Sequence, residues 1–219
     1  MNNELFKRIY SSILLIPICV FLIFKGGYIF NFFIFACFLL IIYEWHKMCF
    51  GKSYYILGYF FLTLSFYSTY NLRNEFEQGL FFFLIVTSIC IFTDIGGYVF
   101  GKIFKGPKLT KISPKKTYSG IFGGYIFSIL FIKILFFFEN FFNFKLKFNL
   151  ELIIFILLIS LVSQIGDLII SYFKRLNNIK DTGNLIPGHG GILDRVDGLI
   201  FVYPFSLFLL KTQIFNILK

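Results

Sequence analysis

The chain has 219 residues, 58% of them hydrophobic, 22% aromatic and 15% charged, with a formal net charge of +10. A soluble domain needs roughly 25% charged and 45–50% apolar residues, and a disordered segment is polar and poor in aromatics, so both classes are excluded. An integral membrane protein with basic loops remains.

Phe alone accounts for 35 residues, while Trp, Met and Pro are scarce. AT-rich codons give such a composition, with Phe standing where Leu or Val would serve in lipid; an aromatic ligand box is the alternative. The cysteines, Cys19, Cys37, Cys49 and Cys90, lie in or beside apolar runs without a C-x-x-C pair. They read as small hydrophobes, not as a zinc site or a disulfide framework.

A spanning helix needs about 20 mostly apolar residues. On that criterion about seven transmembrane helices are expected, in the order Ile9–Phe24, Tyr28–Tyr43, Tyr54–Leu72, Gly79–Phe100, Ser119–Phe138, Leu150–Ile170 and Gly198–Leu218. The first two, joined by Lys25, Gly26 and Gly27, suit a tight helical hairpin. Lys7 and Arg8 give the N-terminus the basic start of a signal peptide, but no small-residue cleavage site follows, so a retained helix is expected. The fold class is therefore an all-α polytopic bundle, one domain over residues 1–219, divided into N-terminal helices (1–78) and a catalytic region (79–219).

Lys and Arg mark the cytoplasmic loops of membrane proteins. They stand at Lys7 and Arg8, at Lys47 and Lys52, and at Lys174, Arg175, Lys180 and Arg195. A further six, Lys102, Lys105, Lys108, Lys111, Lys115 and Lys116, fill an acid-free loop. The other connections hold Lys25, then Arg73 with Glu75 and Glu77, then Lys145 and Lys147. This alternation puts the N-terminus and the even-numbered loops in the cytoplasm, and seven spans leave the C-terminus outside.

Carboxylates within spans are costly and by default mark a functional site. Asp94 shares a helical stripe with Thr87, Cys90, Tyr98 and Gly101. Asp167 lies on a longer stripe of Ser160, Ser163 or Gln164, Ser171 and Lys174, a face that must meet other helices or a water-filled cavity. A structural ion pair with Lys174 or Arg175 is the alternative for either acid.

Residues 171–198 hold the densest chemistry. Asp194 and Asp197 are three apart, which on a helix places both on one face. Converging carboxylates suit a hard divalent cation such as Mg²⁺, usually with substrate phosphates in its shell. Helix capping explains one such acid, but not Asp167, Asp181, Asp194 and Asp197 together. Pro187, Gly188, His189, Gly190 and Gly191 form a loop whose backbone N–H groups suit a phosphate; His189 is open to roles as base, phosphate donor or turn residue. In the acid-free loop, Ser113, Pro114, Lys115, Lys116 and Thr117 precede a helix, where hydroxyls, ammonium groups and N–H groups suit phosphate. Anionic lipid headgroups account for Lys102, Lys105 and Lys108.

These residues carry a family resemblance. The stretch Ser171-x-x-Lys174-Arg175, Lys180-Asp181-x-Gly183, Ile186-Pro187-x-His189-Gly190-Gly191-Ile192 and Asp194-Arg195-Val196-Asp197 resembles the signature of the phosphatidate cytidylyltransferases, or CDP-diacylglycerol synthases. Gln164-x-Gly166-Asp167-Leu168 resembles the lead-in to it. Asp94-x-Gly96-Gly97-Tyr98-x-x-Gly101-Lys102 and Ile112-Ser113-Pro114-Lys115-Lys116-Thr117-Tyr118-x-Gly120 resemble a second diagnostic region. Residues 1–80 match only in character.

The resemblance implies transfer of the cytidylyl group of CTP to phosphatidic acid, giving CDP-diacylglycerol and pyrophosphate. It implies Mg²⁺ on Asp167, Asp194 and Asp197, and it admits a second cation. Lys174 joins those acids as a catalytic group. Lys115, Lys116, Arg175, Lys180 and Arg195 would hold phosphates, with Ser113, Thr117, Ser171, His189, Gly190 and Gly191 as further contacts. Asp94 and Asp181 are given secondary or structural roles. The expected setting is a bacterial-type cytoplasmic (inner) membrane, with the active site facing the cytoplasm. Expected partners are CTP, phosphatidic acid and the lipid bilayer, not nucleic acid; the assembly state, a homodimer included, stays open. Two alternatives remain: a CTP-dependent polyprenol or lipid kinase, and an ion-coupled transporter.

Overall fold

A computed structural model describes residues 2–76, 78–110, 112–137, 148–212 and 214–215, without the side chains of residues 2–5 and 7. Lys111, Glu77, Lys145 and Lys147, Phe138 at the end of the fifth expected span and Leu218 at the end of the seventh lie outside the described residues.

Helices form at all seven expected segments: α1 (Asn2–Lys25), α2 (Gly27–Cys49), α3 (Tyr55–Asn74), α4 (Gly79–Phe104), α5 (Tyr118–Phe137), α6 (Leu150–Leu176) and, after a short α7 (Leu193–Val196), α8 (Leu199–Lys211). Among the described residues β-pairing is limited to two isolated bridges, Lys108 with Thr117 and Ile186 with Gly190. Among the described residues five helices, α1, α2, α4, α5 and α6, are long and apolar enough to span a membrane, and α8 is a shorter apolar helix. α3 is diluted by Thr63, Ser65, Ser68, Thr69, Asn71 and Asn74, which lowers its hydropathy below that of the others. Outward-facing Tyr10, Phe32, Ile56 and Phe60 are each more than 70% exposed, which water would penalise and lipid would not. The chain is a polytopic all-helical membrane protein.

α6 has 27 residues and so measures about 40 Å, against about 30 Å of hydrocarbon. Its last turn, with Lys174 and Arg175, can therefore stand in the headgroup region.

The chain forms two compact units. Unit 1 comprises Met1–Leu80 and Phe173–Asp197; unit 2 comprises Phe81–Tyr172 and Gly198–Lys219. Residues 173–197, part of the expected catalytic region 79–219, thus fold with the N-terminal helices.

In unit 1 the core is Phe30, Ile34, Ile41, Trp45, Met48, Leu62 and Leu72. Phe38 stacks on Phe66 at 4.6 Å, joining α2 to α3. The expected hairpin of α1 and α2 turns on Gly26, with φ of +67°, a conformation that favours glycine. Arg73 closes over the turn, donating to the Ile23 carbonyl at 3.3 Å with its guanidinium 5.5 Å from the Phe30 ring centroid. At the other end of this unit, Arg8 and Ser11 of α1 meet Pro187 and Gly188, and Tyr54 donates to Asn177 at 3.2 Å. The basic N-terminus, the α2–α3 loop and the 177–197 segment thus gather at one end, as the charge alternation requires.

In unit 2 the core is Ile85, Val86, Ile89, Ile132, Leu152, Phe155, Ile156, Ile159 and Val202. Helices α4 and α5 approach through small residues: a Cβ at Gly96 would collide with the Gly123 carbonyl, and one at Gly123 with the Phe100 side chain. Thr93 of α4 donates to Ser160 of α6 at 2.9 Å. Ser160 and Ser163 are fully or almost fully buried, so the polar stripe of α6 faces inward as its spacing requires.

Candidate phosphate and carboxylate site

The loop between α4 and α5 is shaped by its own backbone. Leu109 N–H bonds the Lys116 carbonyl at 2.8 Å, Tyr118 N–H bonds the Pro107 carbonyl at 3.2 Å, and Lys116 N–H closes a turn on the Ser113 carbonyl at 3.0 Å. Thr117 caps α5, its Oγ1 accepting the Gly120 N–H at 3.2 Å, as hydroxyl residues do at helix starts. Ser113, Lys115, Lys116 and Thr117 then line a cavity of about 300 Å³ together with Asp94, Gln164 and Asp167. Lys116 pairs directly with Asp167, which also accepts from Ser171 at 3.3 Å. Asp94 is exposed to this cavity. The structure therefore brings the Ser-Pro-Lys-Lys-Thr segment to both of the intramembrane acids.

A second cluster lies in unit 1. Lys174 is 8% exposed, and its Nζ stands 2.9 Å from Asp194 Oδ1 and 3.9 Å from Asp197 Oδ2. The two carboxylates three residues apart thus face one positive charge. Asp194 Oδ2 takes the Thr182 N–H at 2.8 Å and the Gly191 N–H at 3.0 Å, with the Thr182 hydroxyl at 3.1 Å. Burial alone would raise its pKa; the bond from Lys174 and the N–H groups of Gly191 and Thr182 outweigh that and hold it below the usual carboxylate value.

The remaining expected contacts are arranged differently. His189 is held by serines of α1, with Ser11 Oγ 3.0 Å from Nδ1 and Ser12 Oγ 3.4 Å from Nε2. Burial, then the charges of Arg195 and Arg8, lower its pKa from the ordinary value. Arg195 donates to the His189 carbonyl at 2.7 Å and Arg8 to the Gly188 carbonyl at 2.7 Å, so this turn is fastened by arginines on both sides. Gly188 and Gly190 have φ of +77° and +90°. Arg175 bonds the Ile179 carbonyl at 2.8 Å, and Lys180 is exposed. Asp181 lines a separate cavity of about 430 Å³ with Lys47, Lys52, Asn178 and Asn184.

Asp194 and Asp197 supply carboxylate oxygens, the donor type a hard cation takes, and in this structure both face the Lys174 ammonium. Among the described residues no three His, Cys, Asp or Glu side chains gather into a metal-binding group.

Sequence reasoning missed Glu44, which is 1% exposed in α2 and bonded to Thr182, Ile192 and Leu193. The rule that found Asp94 and Asp167, an acid within an apolar span, would have found it too. The expected second span stopped one residue short, at Tyr43.

Lysines, hydroxyls and carboxylates thus gather on and beside helices that are long and apolar enough to span a membrane. Residues 50–213 match the Cytidylyltransferase family, and the chain belongs to that family. It is 36% identical over 217 residues to a phosphatidate cytidylyltransferase of Rickettsia bellii, covering 95% of this chain and 91% of the relative. It is 34% identical to a protein of the same name in Rickettsia felis, over 95% of this chain and 93% of the relative. With one from Staphylococcus epidermidis identity is 37%, over 73% of this chain but 60% of the relative. The similarity to the rickettsial proteins extends through the N-terminal helices, where the motifs alone gave no detail.

Proposed function

We propose that this protein transfers the cytidylyl group of CTP to phosphatidic acid, giving CDP-diacylglycerol and pyrophosphate at the cytoplasmic face of the membrane. The observation that carries this is the cavity walled by Ser113, Lys115, Lys116 and Thr117 beside Asp167, a place for a polyanion on spanning helices. The relatives named phosphatidate cytidylyltransferase support the choice of substrates.

A phosphate oxygen of phosphatidate attacks the α-phosphorus of CTP in line. One P–O bond forms there, and the bond to the bridging oxygen breaks, its electron pair leaving with pyrophosphate. The attacking phosphate is already ionised near neutral pH, so no general base is required. Lys115 and Lys116 hold phosphate, with Lys116 exchanging its Asp167 partner for the substrate. Lys174, Arg175, Lys180 and Arg195 supply further positive charge, and Ser113, Thr117 and Ser171 supply hydroxyl contacts. The His189–Gly191 turn has its His189 and Gly191 N–H groups engaged by the Ile186 carbonyl and by Asp194. Asp194 and Asp197 would hold Mg²⁺, which when bound would offset charge on the nucleotide and on the leaving group, and Asp167 is the carboxylate beside the phosphate cavity. Such transfer relies on positioning and electrostatics.

The test is pyrophosphate release by the purified protein. Release is expected only with both CTP and phosphatidate present, lost in excess EDTA and restored by Mg²⁺. Release that persists in EDTA would overturn the metal assignment.

A further inference from the structure

We propose that Glu44 is a positioning residue that sets the Asp194–Asp197 carboxylate pair, acting from α2 across a distance of about 150 residues in sequence. The activity arm of its test rests on the function proposed above; the structural arm does not.

A carboxylate out of water is costly unless its oxygens are hydrogen-bonded. Glu44, 1% exposed, is satisfied almost wholly by the signature segment. Oε1 accepts the Ile192 N–H at 2.9 Å. Oε2 accepts the Leu193 N–H at 2.8 Å and the Thr182 hydroxyl at 2.9 Å. The N–H groups that open a helix have no partner within it, so Glu44 supplies the acceptors that let Leu193–Val196 form where it does. That turn carries Asp194, and Asp197 follows directly.

The second link is Thr182. Its hydroxyl lies between Glu44 Oε2 at 2.9 Å and Asp194 Oδ2 at 3.1 Å, and its N–H bonds Asp194 at 2.8 Å. Two carboxylates from opposite ends of the sequence therefore clasp one residue. Asp194 in turn holds Lys174 at 2.9 Å, and Lys174 stands 3.9 Å from Asp197. Glu44 thus sits at the base of the chain of contacts that aims both acids. A Cβ at Gly191 would collide with Glu44 Oε2 and Thr182 Oγ1, and one at Gly183 would come 3.0 Å from Glu44 Oε1. Both glycines leave room for this carboxylate, which gives them a packing reason of their own. Glu44 precedes the residues matched to the family, 50–213, and lies outside the signature.

The experiment compares Glu44→Gln, Thr182→Val, their double variant and Leu72→Ala in the purified full-length protein. Leu72 is fully buried in α3, so Leu72→Ala controls for general destabilisation. Backbone amide exchange is read for residues 182–197, and kcat and KM per folded molecule for CTP and phosphatidate. Glu44→Gln keeps shape but puts an NH₂ group against N–H donors. It is expected to speed exchange at 182–197 and to lower kcat about ten-fold, with KM for phosphatidate unchanged. Leu72→Ala should do neither. Thr182→Val should act in the same direction, and the double variant should cost less than the sum, because the two residues share one bond network. Unchanged exchange at 182–197, a kcat within two-fold of the unsubstituted protein, or strict additivity would each overturn the proposal. Should Glu44→Gln fail to fold, Thr182→Val decides by the same exchange and kcat readings. Should the unsubstituted protein release no pyrophosphate, the proposed function falls and amide exchange alone decides on Glu44.

Discussion

Lys174 is the residue on which the carboxylate pair turns, and its two partners differ in a way that separates stability from activity. The Asp194 side chain is 4% exposed and is bonded to Lys174 at 2.9 Å and to three other donors. Removing one member of such a pair leaves an uncompensated buried charge, at a cost of about 3–5 kcal/mol. Asp197 is more exposed and 3.9 Å from the ammonium. Asp194→Asn should therefore lower both the melting temperature and the activity. Asp197→Asn should keep the melting temperature within a few degrees while lowering kcat at least about 100-fold, the scale of a lost electrostatic contact to the reacting groups. Thermal melts and initial rates on the same preparations check this; equal losses of stability in both variants would contradict it.

His189 gives a second prediction at this scale. Its folded pKa lies below the ordinary value near 6.5, so below pH 6.5 the unfolded chain binds more protons than the folded one. Stability should then fall as pH drops from about 6.5 toward the lowered folded value, and be flat in this respect above it. Melting temperatures of the unsubstituted protein and His189→Gln between pH 8 and 5 measure this, and the substitution should flatten the slope. The serines and arginines around this imidazole mark it as a turn anchor. From sequence its role was open, because Arg8, Ser11 and Ser12 lie more than 170 positions away and no spacing rule joins them.

At the scale of elements, apolar run length located seven helices because lipid leaves the backbone few alternatives to helix. Inward and outward faces were legible as well: Ser160, Ser163, Ser171 and Lys174 form a stripe by spacing alone, and all four are buried. The glycines were not legible in this sense. Gly96 reads only as part of a motif and Gly123 falls in no motif, whereas their work is the close approach of α4 and α5. Gly123→Ala, which would press on Phe100 and the Gly96 carbonyl, should destabilise by about 1–3 kcal/mol. Thr117→Ala, which removes the cap of α5, should cost about 1 kcal/mol and also raise KM for CTP, since Thr117 lines the cavity. Denaturation in detergent together with substrate titration would show both; a lost cap without a change in KM would remove Thr117 from the phosphate site.

At the scale of the whole molecule, charge has two jobs. The net +10 gathers in the loops that alternate along the chain, and in unit 1 those loops do come together. The few acids neutralise lysines at specific points. What composition could not reveal was the partition of the chain, in which Phe173–Asp197 leaves the rest of the catalytic region to fold with the N-terminal helices. The cause is Glu44 and Trp45 on α2: Glu44 accepts bonds from Thr182, Ile192 and Leu193, and Trp45 packs on Phe173 at 5.4 Å. Such contacts are specified by shape in three dimensions and leave no periodic trace.

Transfer of the cytidylyl group would carry the α-phosphate of CTP onto phosphatidate. The direct measurement uses CTP labelled at either the α- or the γ-phosphate, with the purified protein, phosphatidate and Mg²⁺, followed by separation of lipid from aqueous products. The α-label should pass to the lipid and the γ-label should leave as pyrophosphate. Transfer of γ-label to lipid with release of CDP would contradict it and identify a kinase instead.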